Sequence, residues 1–156
     1  MLWRRRIEPL IRPLFFRYAR LRRSLTLGVR GLVLDVEGRV LLVEHTYVPG
    51  WHLPGGGVER GETAERALGR ELVEEAGVEM TGPPRLLSVH SNHAYFPGDH
   101  VLVFRVDRWR PATATARGEI HAVGWFAPDD LPKTVTSPTR RRIAEALAAA
   151  PAQALW

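Results

Sequence analysis

The chain has 156 residues, of which 45% are hydrophobic and 25% charged, with a formal net charge of +5. That length suits one domain with a single core, and the absence of cysteine excludes disulfides and thiolate metal sites. No apolar run approaches the ~18–20 residues that cross a bilayer. Pro9, Arg12, Pro13 and Arg17 interrupt any stretch that could serve as a secretory signal, so a cytoplasmic location is the expectation.

In chain order, residues 1–24 read as a basic amphipathic arm. They hold eight arginines (Arg4, Arg5, Arg6, Arg12, Arg17, Arg20, Arg22 and Arg23) and one acid, Glu8. The rest of the chain keeps 14 of the 22 basic and 16 of the 17 acidic side chains, so the positive charge belongs to the arm and not to the body. Apolar residues at Trp3, Ile7, Leu10, Ile11, Leu14, Phe15, Tyr18 and Leu21 fall near helical spacing, whereas Pro9 and Pro13 oppose one uninterrupted helix. One reading packs this stripe on the domain with the arginines in water. The other makes it a contact with a membrane surface, RNA or another subunit.

Residues 25–156 form the domain proper. Leu27, Val29, Leu32, Leu34 and Val36 are rich in β-formers, Glu37-Gly38 makes a turn, and Val40–Val43 follows, so the segment reads as a hairpin. The cluster Pro54-Gly55-Gly56-Gly57 leads to a helix predicted at about 63–76. Strands are predicted near 85–91, 100–106 and 119–126, with a turn at Asp130-Leu131. A last helix is expected from about Thr139 to Ala149, started by Pro138 and stopped by Pro151. Interleaved strands and helices favour an α/β (α+β) fold, a mixed β-sheet covered by helices on both faces.

The chemistry is concentrated in the first of these helices. It carries carboxylates at Glu71, Glu74 and Glu75, neighbours at spacings of three and four. At ~100° per residue, Glu75 lies only ~20° from Leu68. Leu68 belongs to the stripe Ala64, Leu68, Leu72, Ala76, which must face the core. Glu75 therefore points into or beside the apolar face, with Glu71 at its edge. Carboxylates gathered this closely either retain protons or are compensated by a cation, and oxygen ligands without sulfur suit Mg²⁺ or Mn²⁺.

The full spacing is Gly56, five residues, Glu62, seven residues, then Arg70-Glu71-Leu72-Val73-Glu74-Glu75-Ala76-Gly77-Val78. It meets every position of the Nudix box, and seven fixed residues at about 7% each coincide by chance about once in a hundred million placements. The chain thus resembles the Nudix hydrolases. Trp51-His52-Leu53-Pro54-Gly55-Gly56-Gly57 is similar to the family's strand and glycine loop, and Trp125-Phe126 with Asp130-Leu131 to its late strand and turn. The resemblance implies a Nudix-type mixed sheet sandwiched between helices and a Mg²⁺-dependent enzyme, Mn²⁺ being an alternative ion. It would hydrolyse the pyrophosphate bond of a nucleoside diphosphate linked to another moiety.

By the same resemblance Glu74 and Glu75 are metal ligands, and Glu71 is a ligand or the general base. Glu119, six residues before Trp125, stands where a further glutamate completes the site, and the Gly55 carbonyl is an additional candidate. Arg70 and Glu62 pair and orient the catalytic helix, and Gly77 suits its left-handed C-cap. Many relatives are dimers, which makes a homodimer an expectation.

The substrate is less legible. Tyr95, 18 residues after Gly77, resembles the placement linked to dinucleoside polyphosphate hydrolysis, while Pro97 falls too late for the ADP-ribose pattern and the coenzyme A signature is missing. Trp51 or Tyr95 could stack on adenine. Of the scattered histidines (His45, His52, His90, His93, His100, His121) no helical face brings two together as a metal site, and His93 is the one expected to approach substrate. Two alternatives stay open: a hydrolase of 5′-triphosphorylated RNA, motivated by the arm, and a Nudix-fold module that binds a nucleotide without cleaving it.

Overall fold

A computed structural model describes residues 25–116, 118–148 and 151–156; the expectations for the arm, residues 1–24, lie outside them. The element order is β1 (Thr26–Val33), β2 (Val40–His45), β3 (Trp51–His52), α1 (Ala64–Ala76), β4 (Val78–Met80), β5 (Arg85–Ser91), β6 (Asp99–Val106), β7 (Trp109–Pro111), β8 (Ile120–Phe126) and α2 (Ser137–Leu147). Strand order is β1-β6-β5 in one sheet, β3-β2-β8 in a second, and β4-β7 in a two-stranded ribbon. β1 runs parallel to β6 and β5 antiparallel to it, so the first sheet is mixed.

The period-two alternation of the strands explains where the helices sit. Val29 and Val33 of β1, Leu41 of β2, and Phe104 and Val106 of β6 join one core cluster with Ala67, Leu68 and Leu72 of α1. The intervening Leu32, Val40, Leu42 and Val103 join a second cluster with Ile143 of α2. The same strands thus bury opposite faces under different helices, which is the sandwich that the sequence predicts. Among the described residues no helix is long and apolar enough to cross a membrane.

The predicted hairpin of β1 and β2 is not found. β1 and β2 belong to different sheets; pairing is confined to the turn, where Asp35 N–H donates to Arg39 O (3.1 Å) and Leu34, just past β1, forms an isolated bridge with Val40. The second edge of β1 is taken by the glycine loop instead: Val29 N–H donates to Gly56 O (2.9 Å), Gly31 N–H to Pro54 O (2.8 Å), and Val58 N–H to Leu27 O (2.8 Å). Backbone groups on a buried strand must be paired, and here a loop some 25 residues downstream supplies the partners. The last helix begins at Ser137, two residues before the predicted start, with Pro138 in its first turn. β4 and β7 are short strands that the sequence pattern does not announce.

α1 is fixed at both ends and along one face. Thr63 accepts from the Arg66 N–H at the N-terminus (3.2 Å), and Gly77 closes the helix at φ 61°, ψ 40°. Leu68 and Leu72 are fully buried, close enough to β1 that a methyl group on Gly31 would lie 3.1–3.2 Å from them. Leu72→Ala is therefore expected to cost roughly 2–5 kcal/mol by opening a cavity under the helix, measurable by urea denaturation. A loss well under 1 kcal/mol would mean that this stripe does not seat α1.

Candidate active site

Several pieces of chain converge beside β1: the strand itself, the end of β2 with the loop after it, β3, the glycine loop, α1, and the residue before β8. They enclose a cavity of ≈ 300 Å³ lined by Arg30, His45, Tyr47, Val48, His52, Gly55–Gly57, Glu71, Glu75 and Glu119.

Glu75 is its most constrained acid. The helical angle predicts that it faces the core, and it is 8% exposed. Its Oε2 accepts from the Gly55 N–H (2.8 Å) and its Oε1 is hydrogen-bonded to His45 Nε2 (2.8 Å), so the carboxylate ties helix to loop and loop to β2. Glu71, one turn earlier, lies against the Gly56 backbone: a Cβ on Gly56 would come within 2.4 Å of its Oε1. Burial raises the Glu71 pKa, opposed by the hydrogen bond and charge of Arg70 and reinforced by Glu75 and Glu74. Glu119 is exposed, immediately before β8. Its carbonyl accepts from the Thr46 N–H (2.9 Å), which anchors it beside the end of β2.

Arg70 organises the helix without entering the cavity. Its Nε and Nη2 donate to the two carboxylate oxygens of Glu62 (3.2 Å each), and Nη2 also to Gly57 O (3.1 Å). Nη1 donates to Glu71 Oε1 (2.7 Å) and Glu74 Oε2 (3.2 Å), which engages all five guanidinium N–H groups. The pairing holds the Glu62 pKa below the ordinary carboxylate range, chiefly through the Arg70 hydrogen bond, and drives that of Arg70 up.

The structure thus gathers Glu71, Glu75, Glu119 and Gly55 at one cavity. Glu74 is turned aside to Arg70, its side chain 39% exposed. The Gly55 carbonyl accepts from Arg30. Trp51 is not at the cavity. Alternation along β3 presents His52 there and turns Trp51 the other way, edge-on to Phe126 (4.8 Å between ring centroids) and against the α2-side core. His93 and Tyr95 sit in the loop between β5 and β6, outside the cavity lining. Tyr95 is 77% exposed, and His93 Nδ1 is hydrogen-bonded to Ser91 Oγ (3.1 Å).

Sequence reasoning missed Arg30, His45, Tyr47 and His52. Arg30 left one signal, a cation in an otherwise buried run of β1. Burial lowers its pKa, with Glu75 and Glu71 pulling the other way, and burial followed by Arg30 lowers that of His52.

Carboxylate oxygens without sulfur, two of them on partly buried side chains, fit a hard divalent cation in kind. Among the described residues, no three acidic or imidazole side chains already form a closed group able to hold one.

Comparison with known proteins places this geometry in a family. A model described as the NUDIX domain matches residues 24–147. The chain is 32% identical over 124 residues to a MutT-like protein of Streptomyces ambofaciens, covering 78% of this chain and 77% of that protein. It is 32% identical over 94 residues to an 8-oxo-dGTP diphosphatase of Proteus vulgaris, covering 56% and 81%. Among solved structures, a MutT NUDIX hydrolase from Burkholderia pseudomallei superposes with a TM-score of 0.65 at 31% identity, over 76% of this chain and 95% of that one.

Proposed function

The chain belongs to the Nudix family of hydrolases that act on phosphoric anhydrides, and from that premise we propose that it cleaves the pyrophosphate bond of a nucleoside diphosphate linked to a further group, with Mg²⁺ as cofactor. The observation that supports this most is the convergence of Glu71, Glu75 and Glu119 on one cavity beside the glycine loop.

In this reading Glu71, Glu75 and Glu119 would hold the divalent cation, and Glu74 would join them from the same helix by turning away from Arg70. Bound there, the ion would neutralise the diphosphate charge and lower the pKa of a water. The protein's own part is arrangement. Glu75 is held by Gly55 and His45, and Glu71 by Arg70 and the close approach of Gly56. A water oxygen attacks phosphorus in line, its proton passes to a cavity carboxylate, and the bridging P–O bond breaks. The products are a nucleoside monophosphate and a phosphorylated remainder. Arg70 and Glu62 position α1 and touch no substrate.

The names of relatives put 8-oxo-dGTP among the substrates to be tried. The deciding experiment is a screen of (d)NTPs including 8-oxo-dGTP, ADP-ribose, NADH, dinucleoside polyphosphates, nucleotide sugars and 5′-triphosphorylated RNA, with Mg²⁺ and with Mn²⁺. Release of a nucleoside monophosphate from at least one nucleotide is expected. Binding without product from any member of the panel would overturn the catalytic reading.

A further inference from the structure

Arg30 lines the cavity but is not one of the carboxylates proposed to hold the cation. It stands in β1 between Val29 and Gly31, and its Nη1 donates to the carbonyls of Leu53 (3.1 Å) and Gly55. One corner of the guanidinium is thereby clamped to the loop that precedes α1. Among the described residues Nε and Nη2 have no hydrogen-bond partner. These atoms are also absent from the buried polar atoms that lack partners, so they keep solvent access, and Arg30 is among the residues that line the cavity. Glu71 and Glu75 line the same cavity, and neither forms an ion pair with Arg30.

A half-buried guanidinium with one corner clamped and an unpaired edge is preorganised to receive an anion. The carboxylates beside it are committed elsewhere, Glu75 to Gly55 and His45 and Glu71 to Arg70. The planar fork matches the non-bridging oxygens of a phosphate in a way that the point charge of lysine does not.

Resting on the hydrolase reading, we propose that Arg30 is a substrate-binding residue whose free Nε/Nη2 edge donates to a non-bridging oxygen of the bound diphosphate. Nη1 keeps its plane fixed on the glycine loop. The cavity is then two-sided: carboxylates for the cation and a clamped arginine for the anion. Because the contact is to phosphate alone, it serves any nucleoside diphosphate derivative and carries no information about the base.

The test uses methylenediphosphonate, a diphosphate analogue that cannot be hydrolysed, titrated calorimetrically into the full chain in Mg²⁺. Arg30→Gln is expected to weaken its binding by about 10- to 100-fold, the effect of one charge-assisted hydrogen bond. Arg30→Lys is expected to weaken it less, since charge survives and the fork does not. Mn²⁺ binding by both variants, followed by electron paramagnetic resonance without any phosphate, should be at least as tight as in the wild type, because a cation next to the carboxylates has been removed or kept. Should the glutamine variant fail to fold, the lysine variant carries the same comparison.

Unchanged diphosphonate affinity in the variants, no diphosphonate binding by the wild type, or Mn²⁺ binding weakened by the same factor would each overturn the assignment. The two readings fail separately. If the wild type cleaves nucleotides while Arg30→Gln keeps its diphosphonate affinity, only the arginine contact is wrong. If no nucleotide is cleaved and the affinity still falls, the hydrolase reading is wrong and the anion contact stands.

Discussion

Replacing Glu75 by glutamine is expected to lower kcat by at least about a thousandfold, or ~4 kcal/mol of transition-state stabilisation, while the protein stays folded. The fold should survive because the amide can reproduce both hydrogen bonds of the carboxylate. Its oxygen can accept from the Gly55 N–H, now 2.8 Å from Oε2, and its NH₂ can donate to His45 Nε2 when the imidazole proton sits on Nδ1. The side chain keeps its shape in a site that is 8% exposed, so no cavity opens. What disappears is the negative charge, which is what a divalent cation in this cavity requires. Glu74→Gln provides the contrast. That carboxylate is partly exposed and hydrogen-bonded to Arg70 at 3.2 Å, so its loss of activity should be smaller. The measurement is kcat on the best nucleotide of the screen, alongside the urea midpoint. Near-normal turnover by folded Glu75→Gln in Mg²⁺ would show that the cation is not held where we propose.

The parts of this architecture that are written in local spacing can be read from the sequence, and the parts that depend on distant pairing cannot. α1 is of the first kind. Its 3.6-residue stripe, its acidic positions and its terminal Gly77 fix the helix and turn Glu75 inward before any tertiary contact is known. The β1–β2 hairpin is of the second kind. Glu37-Gly38 is a valid turn signal, but it cannot reveal that the edge of β1 is claimed by Pro54 and Gly56, whose carbonyls take the N–H groups a hairpin partner would have used. Arg30 escapes notice for a related reason. A cation in a strand reads as the solvent-facing member of an alternating pair, and only the loop laid along β1 turns that face into a cavity wall. Trp51 and His52 show the alternation rule deciding in the other direction. Adjacent residues of one strand face opposite ways, so the aromatic nearest the glycine loop in sequence belongs to the core, and the histidine after it belongs to the cavity.

Gly55 and Gly56 are adjacent, yet their replacement by alanine is expected to damage different properties. Gly55 has φ 138°, a conformation that L side chains rarely adopt. A Cβ there would lie 2.1 Å from the carbonyl oxygen of Val29 and 3.0 Å from the Arg30 Cα. These are backbone atoms of a buried strand and have nowhere to go. The loop would have to lift off β1, loosening the Val29–Gly56 and Gly31–Pro54 hydrogen bonds together with the Gly55–Glu75 tie. Gly55→Ala should therefore cost roughly 2–4 kcal/mol of stability. Gly56 lacks the positive φ, and the atoms its Cβ would meet, at 2.4–2.9 Å, are the carboxylate end of Glu71. A side-chain terminus can swing away, so stability should change by less than about 1 kcal/mol. The carboxylate, however, would leave its place by something near an ångström, a displacement that can cost about a hundredfold in rate. Urea denaturation and kcat measured on both variants separate the two effects. Wild-type stability in Gly55→Ala would mean that the loop is not pinned to β1. Full activity in Gly56→Ala would mean that catalysis does not need Glu71 where the glycine loop holds it.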